Sequence, residues 1–330
     1  MANKKKILND PVYGFISIQS PLLFDLVEHP YFQRLRRIKQ LGLSEYVYPG
    51  ALHTRFHHAL GAMHLMGQAT GTLSSKGNHL SEAECEAAQI AILLHDVGHG
   101  PFSHVLESTI LADVPHEEIS LILMHDLNRQ FGGALSLAIE MFDGTYHRPF
   151  FHQLISSQLD MDRMDYLNRL ADDQLVVEDK GILSVENFLN ARRLMYWQVY
   201  LHKTSICCES MLVQILRRAR FLVRNGTRVD ALPDFGLFLR ESISIHEFRA
   251  NPTYLQAFTR IDDYDVWACV KAWATHPDQV LSMLCQMLLD RHLFKIVLST
   301  EPFQPVLVEE MTQQLRRKGL TDDELSYFLV

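Results

Sequence analysis

This sequence predicts a mostly α-helical protein, and three observations lead there. Only 16 glycines and 12 prolines fall in 330 residues, so few positions force a turn. Apolar residues recur at helical period over long stretches, as in Ser184 to Val223. A hydrophobic content of 47% supplies one large core or two modest ones.

The elements follow in order. Val12, Phe15 and Ile18 suit a short strand or hairpin around Tyr13 to Ile18. His29 to Leu41, HPYFQRLRRIKQL, reads as a basic amphipathic helix stopped by Gly42. Tyr46 to Pro49 is expected to be extended and to lead into a loop at Gly50. A helix is predicted from about Arg55 to Leu73. Ser81 and Glu84 have capping-box spacing and open a helix that should end near Val97-Gly98. Further helices are expected at 116–130, 133–143 and 149–169. Gln174 to Ile182 reads as a small hairpin turning near Asp179-Lys180. One long helix from Ser184 to about Val223 follows, and 230–330 is also helical. The division is therefore a main unit over 1–223 and a helical region over 224–330.

The bulk chemistry excludes several classes. With 31 Lys and Arg against 39 Asp and Glu, the net charge is −8. That argues against a surface coated by nucleic acid, though not against a local phosphate pocket. The five cysteines form no CxxC pair, so neither a zinc ribbon nor a redox motif is offered. Adjacent Cys207 and Cys208 read as packing residues. MANKKKILNDP has no apolar core, and no run of about 18 apolar residues occurs. A cytoplasmic protein without membrane contact is expected.

The chemistry centres on LLHDVGHGPFSH, Leu93 to His104. Adjacent His95 and Asp96 follow a packed helix, with His99, His104 and His116 close behind. His58 lies in HTRFHHALGAMH, on a helix otherwise rich in Ala, Leu and Met; alone it would be a satisfied core histidine. Asp162, in SSQLDMDRMDYL, shares a helix face with Tyr166. A solvated acidic face paired to Arg163 and Arg169 is the competing reading. Taken together, His58, His95, Asp96 and Asp162 make a mixed nitrogen and oxygen set. Such a set suits one divalent Fe, Mn, Ni or Zn ion and leaves room for water and phosphate oxygen.

In this order, with their flanking blocks, these residues resemble the HD-domain phosphohydrolases. DPVYGFISI, FQRLRRIKQLG, YPGALHTRFHHALG, HDVGHGPFSH and DMDRMDY narrow the resemblance to the deoxynucleoside triphosphate triphosphohydrolase branch. It covers residues 7–169 closely and 184–220 less so. It implies an HD-domain helical bundle with one or two small hairpins and a helical C-terminal lobe. It implies the four metal ligands named above, with Mg accompanying the nucleotide. His104 matches a catalytic histidine, and His116 matches a second that protonates the leaving 5′-oxygen. Glu107 stands where the family carries an Asp that orients this second histidine. His99 would contact phosphate or support the ligands. Arg55 and Arg163 would grip phosphate oxygens. Gln40 and Leu41 match the pair that reads the sugar, and Tyr166 would pack under it. Arg192, Tyr200, His202 and Lys203 resemble outer phosphate and base contacts, or else form a solvated face. A nucleotide substrate and a homo-oligomer are implied partners.

One departure stands out. After DYLNR the family continues with an Asp that helps hold the 3′-hydroxyl, but here Leu170-Ala171-Asp172-Asp173 runs straight toward a hairpin. Either the loop is shortened, relaxing deoxyribose selection, or a segment is absent from this stretch; the abrupt join favours the second. The apolar end Tyr327 to Val330 likewise reads as cut. The rival functions are an HD phosphohydrolase for a nucleoside monophosphate or signalling nucleotide, and a silent nucleotide-binding regulator. The complete ligand set speaks against the regulator.

Overall fold

The computed structural model describes residues 6–111, 114–156, 169–171, 173–176, 182–297, 302–317 and 319–329. The chain opens with a hairpin, β1 (Lys6–Asp10) against β2 (Gly14–Ile18), with Asp10 opposite Gly14. The Asp10 carboxylate accepts from the Val12 and Tyr13 amides and holds the turn. Alternation then buries Ile16 and Ile18 and leaves Phe15 exposed.

Helix α1 (Pro21–Glu28) starts with Ser20 as cap and proline at its first position. The expected single helix over 29–41 does not form. Instead α2 (Pro30–Gln33) passes into a 3₁₀ turn, Arg34–Arg37, and Ile38 is extended. The backbone of 38–40 is claimed by tertiary bonds. The Arg55 amide donates to the Ile38 carbonyl at 2.9 Å, and the Gln40 amide to the His53 carbonyl at 3.0 Å. The Lys39 amide donates to the Asp263 carboxylate at 2.9 Å. Local helix propensity is weaker than these three bonds. Ser44–Tyr46 is another 3₁₀ turn where extended chain was expected to begin.

Helices α3 (Arg55–Ser75) and α4 (Glu82–Leu94) pack on each other. The capping box at Ser81 and Glu84 is present with both bonds made. Helix α4 ends earlier than expected, so His95 is its C-cap and Asp96 lies just beyond. After it come α5 (Ser103–Thr109), α6 (His116–Gln130), α7 (Ser136–Asp143) and α8 (Phe150–Ser156). The remainder of the expected helix 149–169 lies outside the described residues up to 168. A second hairpin, β3 (Arg169–Ala171) with β4 (Gln174–Val176), lies earlier than expected. Ala171 pairs with Gln174, and Asp173, just before β4, lies in the left-handed region that Asp tolerates. Asp179-Lys180 lies outside the described residues.

The long helix after 184 is also divided. Helix α9 (Ile182–Met195) runs into a π-helical turn, Tyr196–Tyr200, and α10 (Lys203–Arg224) starts afresh. The His202 ring nitrogen Nδ1 caps this new start by accepting from the Thr204 amide at 3.2 Å. The rest is helical as expected: α11 (Pro233–Arg240), α12 (Ile245–Ala250), α13 (Pro252–Phe258), α14 (Asp263–Trp273), α15 (Gln279–Leu289), α16 (Pro305–Arg316) and α17 (Asp322–Leu325). Helices α11 and α15 pack back on α10, and buried residues on both sides of position 223 join one core.

Two close packings hold the turn after α4. The Arg34 guanidinium is 1% exposed. It donates to the Val97 and His99 carbonyls at 2.9 Å and to the Phe258 and Ile261 carbonyls at 3.4 Å. Burial pulls its pKa down to about 9, which leaves it charged at neutral pH. Gly98 permits the second packing. A Cβ there would lie 2.2 Å from the His116 carbonyl oxygen and 2.4 Å from the Ser120 amide. The Ser120 hydroxyl accepts from the Gly98 amide at 2.9 Å and donates to the His95 carbonyl at 2.8 Å.

Arg34→Met should lower stability by about 3 kcal/mol or more, because buried carbonyls lose their donor. Arg34→Lys should recover only part of it, since an ammonium lacks the planar fork; urea denaturation reads both. A second expectation concerns Glu84. Burial by itself raises its pKa, but bonds from the Ser81 backbone, Arg148, the Ser81 hydroxyl and Tyr146 outweigh burial and bring it down to about 2. A depressed carboxylate stabilises the fold fully above about pH 4.5 and loses that effect as pH falls toward 2. Glu84→Gln should therefore cost about 2 kcal/mol at pH 7. The gap to the native protein should close below pH 4.5 in denaturation curves taken at each pH.

Candidate metal centre and active site

The pairing of α3 with α4 brings the first turn of one to the end of the other. Arg55 and His58 are three residues apart at the start of α3 and share a face. His95 and Asp96 leave the end of α4 toward them. The candidate ligand atoms of His58, His95 and Asp96 all lie within 4.8 Å of one another. The His95 Nε2 is 3.1 Å from one Asp96 oxygen, and the His58 Nε2 is 3.9 Å from the other. The His95 Nδ1 lies 2.6 Å from the Ile92 carbonyl oxygen. A carbonyl only accepts, so Nδ1 carries a proton and Nε2 is the nitrogen that faces the Asp96 oxygen at 3.1 Å. A cation there, whether a proton on Nε2 or a metal ion, satisfies both groups, and two imidazoles with a carboxylate form a donor set that fits a divalent metal.

Asp96 is 6% exposed. Its burial opposes ionisation most strongly, yet His95, His99 and Arg55 together overcome it and hold its pKa well below the usual carboxylate range. The Arg55 guanidinium donates to Asp96 at 2.7 Å, and the His99 Nε2 lies 3.3 Å from it. One arm of Arg55 is thus committed to the cluster, while its buried Nε has no partner. His99 is pushed down to about 3 by burial, so it is neutral at ordinary pH.

A second cluster flanks the first and comprises His99, Glu107 and His116. The His116 Nδ1 is 3.0 Å from a Glu107 oxygen, and its ring stacks on His99 with centroids 3.7 Å apart. His116 is the first residue of α6 and Glu107 sits in α5, so the Gly98 contact that seats α6 also sets this pair. His104 is in α5, but its side chain is outside the described residues. So are Asp162, Arg163 and Tyr166.

Beside Arg55 is a cavity of about 310 Å³. Gln40, Leu41 and Tyr200 line it, as do Phe102, Tyr196 and Glu209, which sequence reading missed. Glu209 had a signal, being an acid next to buried Cys207 and Cys208 on α10. Phe102 adopts a positive φ of 47° and donates its amide to Asp263 at 3.2 Å, which no local pattern announces. The Gln40 side-chain oxygen is buried without a hydrogen-bond partner. Arg192 is not on this cavity; its guanidinium lies 5.7 Å from the centre of the Tyr196 ring. His202 serves as the α10 cap, and Lys203 is that helix's first residue.

The HD domain family matches residues 55–170, and the HD associated region matches residues 159–231. A Bacillus subtilis protein, YwfO, is 30% identical over 357 residues, spanning 99% of this chain and 79% of that protein. That aligned stretch exceeds the 330 residues here, so the relative carries segments this chain lacks. The human deoxynucleoside triphosphate triphosphohydrolase SAMHD1 is 28% identical over 65% of this chain and 44% of its own length. A crystal structure of a phosphohydrolase from Bacteroides thetaiotaomicron superposes with a TM-score of 0.93 at 51% identity, covering 98% of this chain and 86% of that one. With this metal-competent cluster on this helical fold, the chain belongs to the HD-domain phosphohydrolases, in the branch that resembles SAMHD1.

Proposed function

We propose that the chain hydrolyses deoxynucleoside triphosphates to deoxynucleoside and inorganic triphosphate. The observation that carries this reading is the grouping of the His58, His95 and Asp96 ligand atoms within 4.8 Å of one another, beside the cavity lined by Gln40 and Leu41. The similarity to a deoxynucleoside triphosphate triphosphohydrolase supports the choice of substrate. His58, His95, Asp96 and Asp162 would hold one divalent transition ion. Such an ion supplies positive charge to phosphate oxygens and makes water acidic enough to attack at neutral pH.

The chain's own groups account for the rest. Water oxygen bonds to the α-phosphorus while the bond from that phosphorus to the 5′-oxygen breaks. The 5′-oxygen takes a proton from His116, whose Nδ1 is oriented by Glu107. His104 would act as the other catalytic histidine. His99, neutral and buried, holds Asp96 in place. Arg55 and Arg163 meet the charge of the phosphate chain, with Arg192 at most an outer contact. The Gln40 amide bonds the 3′-hydroxyl, Leu41 crowds a 2′-hydroxyl, and Tyr166 and Tyr200 pack against sugar and base. A homo-oligomer belongs to the same reading, favoured by exposed apolar residues along α9 and the turn after it, such as Leu183, Leu194 and Trp197.

A panel of deoxynucleoside triphosphates, ribonucleotides and monophosphates, assayed with and without Mn, tests the proposal. Triphosphate should be released from the deoxynucleotides, and the purified protein should carry a transition metal by elemental analysis. His95→Ala should lose metal and slow turnover by more than about 100-fold, beyond the effect of a typical supporting residue. Orthophosphate as product, or unchanged turnover in that variant, would refute the reading. His116→Gln should lower kcat by roughly 10²- to 10⁴-fold with little change in KM, measured with the same assay.

A further inference from the structure

A second cavity, of about 490 Å³, lies along the C-terminal half of α10 and includes Arg217, Arg220, Arg224, Phe221 and Tyr327 in its wall. The three arginines are spaced three, then four apart, which puts them on one helix face. Neighbouring Arg218 is satisfied by Asp278 at 2.6 Å, with Glu324 at 4.0 Å. Arg217, Arg220 and Arg224, by contrast, pair with no carboxylate among the described residues. The nearby Glu241 carboxylate is taken by the Tyr254 hydroxyl at 2.7 Å. Arg220 bonds the Thr109 carbonyl, and at 3.1 and 3.0 Å the Glu241 carbonyl and the Ser242 hydroxyl. Its Nε is buried with no partner.

In a chain of net charge −8, three unneutralised guanidinium groups around one cavity are unusual. A bound polyanion would offset their mutual repulsion more fully than solvent alone does. Burial lowers the Arg220 pKa and the Arg224 charge lowers it further, which is consistent with that strain. Guanidinium forks match phosphate oxygens in pairs, and three of them suit several linked phosphates better than one. Phe221, 49% exposed and with the Arg218 guanidinium 5.3 Å from its ring centre, adds apolar surface beside them. The volume falls in the range of about 300–1,000 Å³ common for small-molecule sites.

We infer that this cavity is a second anion site, which binds a polyphosphate group. The group is inorganic triphosphate or the tail of a nucleotide. The site is distinct from the His95 cluster and does not depend on the substrate proposed above.

Calorimetric titration of the full chain with inorganic triphosphate, and separately with dATP, tests the inference. Arg217 and Arg224 are exposed, so the R217A/R224A double variant should melt at the native temperature. It should bind triphosphate roughly tenfold or more weakly at one site, as loss of charged hydrogen bonds predicts. Arg55→Ala should keep that site. In the native protein the binding should weaken as salt rises. If F221A weakens dATP but not triphosphate, the ligand is a nucleotide. If F221A affects neither, it is the free anion, and both outcomes uphold the site. Native affinity and stoichiometry in R217A/R224A would overturn it, as would loss of all triphosphate binding in Arg55→Ala. Failure of the proposed reaction would show instead in the product assay and leave this titration unchanged.

Discussion

A single buried guanidinium is the contact on which the candidate site rests. Arg34 donates at once to the turn that follows α4 and to the chain after α13. Desolvating a guanidinium is expensive, and only a nearly full set of acceptors offsets it. The four carbonyls supply that set. The position of Asp96 follows, because it lies between the region's fixed points: the α4 cap at His95 on one side and the Arg34-bound carbonyls of Val97 and His99 on the other.

The site then shows how a fold maintains an arrangement that is unfavourable by itself. Asp96 is buried, yet it is kept ionised by positive and hydrogen-bonding neighbours. His95 is turned so that its Nε2 meets that carboxylate. A metal ion between them would stabilise both, and the surrounding helices prevent them from separating. This is how preorganisation looks at the level of individual atoms. The stacking of His99 on His116 extends the same rigidity to the His116–Glu107 pair.

Much of this was legible in the sequence. The capping box of Ser81 and Glu84 and the helix over 116–130 are local patterns, and local patterns survive into the fold; the nearness of His58 to His95-Asp96 was expected from residue type and family resemblance, and α3 and α4 bring them together. The errors share one cause. The segment 29–41 has a helical period, but its backbone is drawn into bonds with His53 and Arg55, outside the segment, and with Asp263, far away in the chain. The long helix after 184 breaks where a π-helical turn and the His202 cap intervene, and apolar spacing says nothing about either. Arg34 looked like one charge in a basic stripe; its burial depends on carbonyls over two hundred residues away. Glu209 and Phe102 joined the cavity for the same reason, through packing that only the assembled chain defines.

Asp263 carries a further consequence. Its carboxylate, 3% exposed and raised to about 7 by burial, accepts the amides of Lys39 and Phe102. Those two amides belong to separate walls of the cavity beside Arg55. Asp263 lies beyond both family matches, which end at residues 170 and 231. The shape of the pocket is thus written partly in a region that carries none of the recognisable chemistry. For inheritance, this makes the two halves of the chain poor candidates for exchange. A recombinant that joined the metal-binding half of one relative to the C-terminal half of another would keep every ligand, but its pocket would be framed by a stranger.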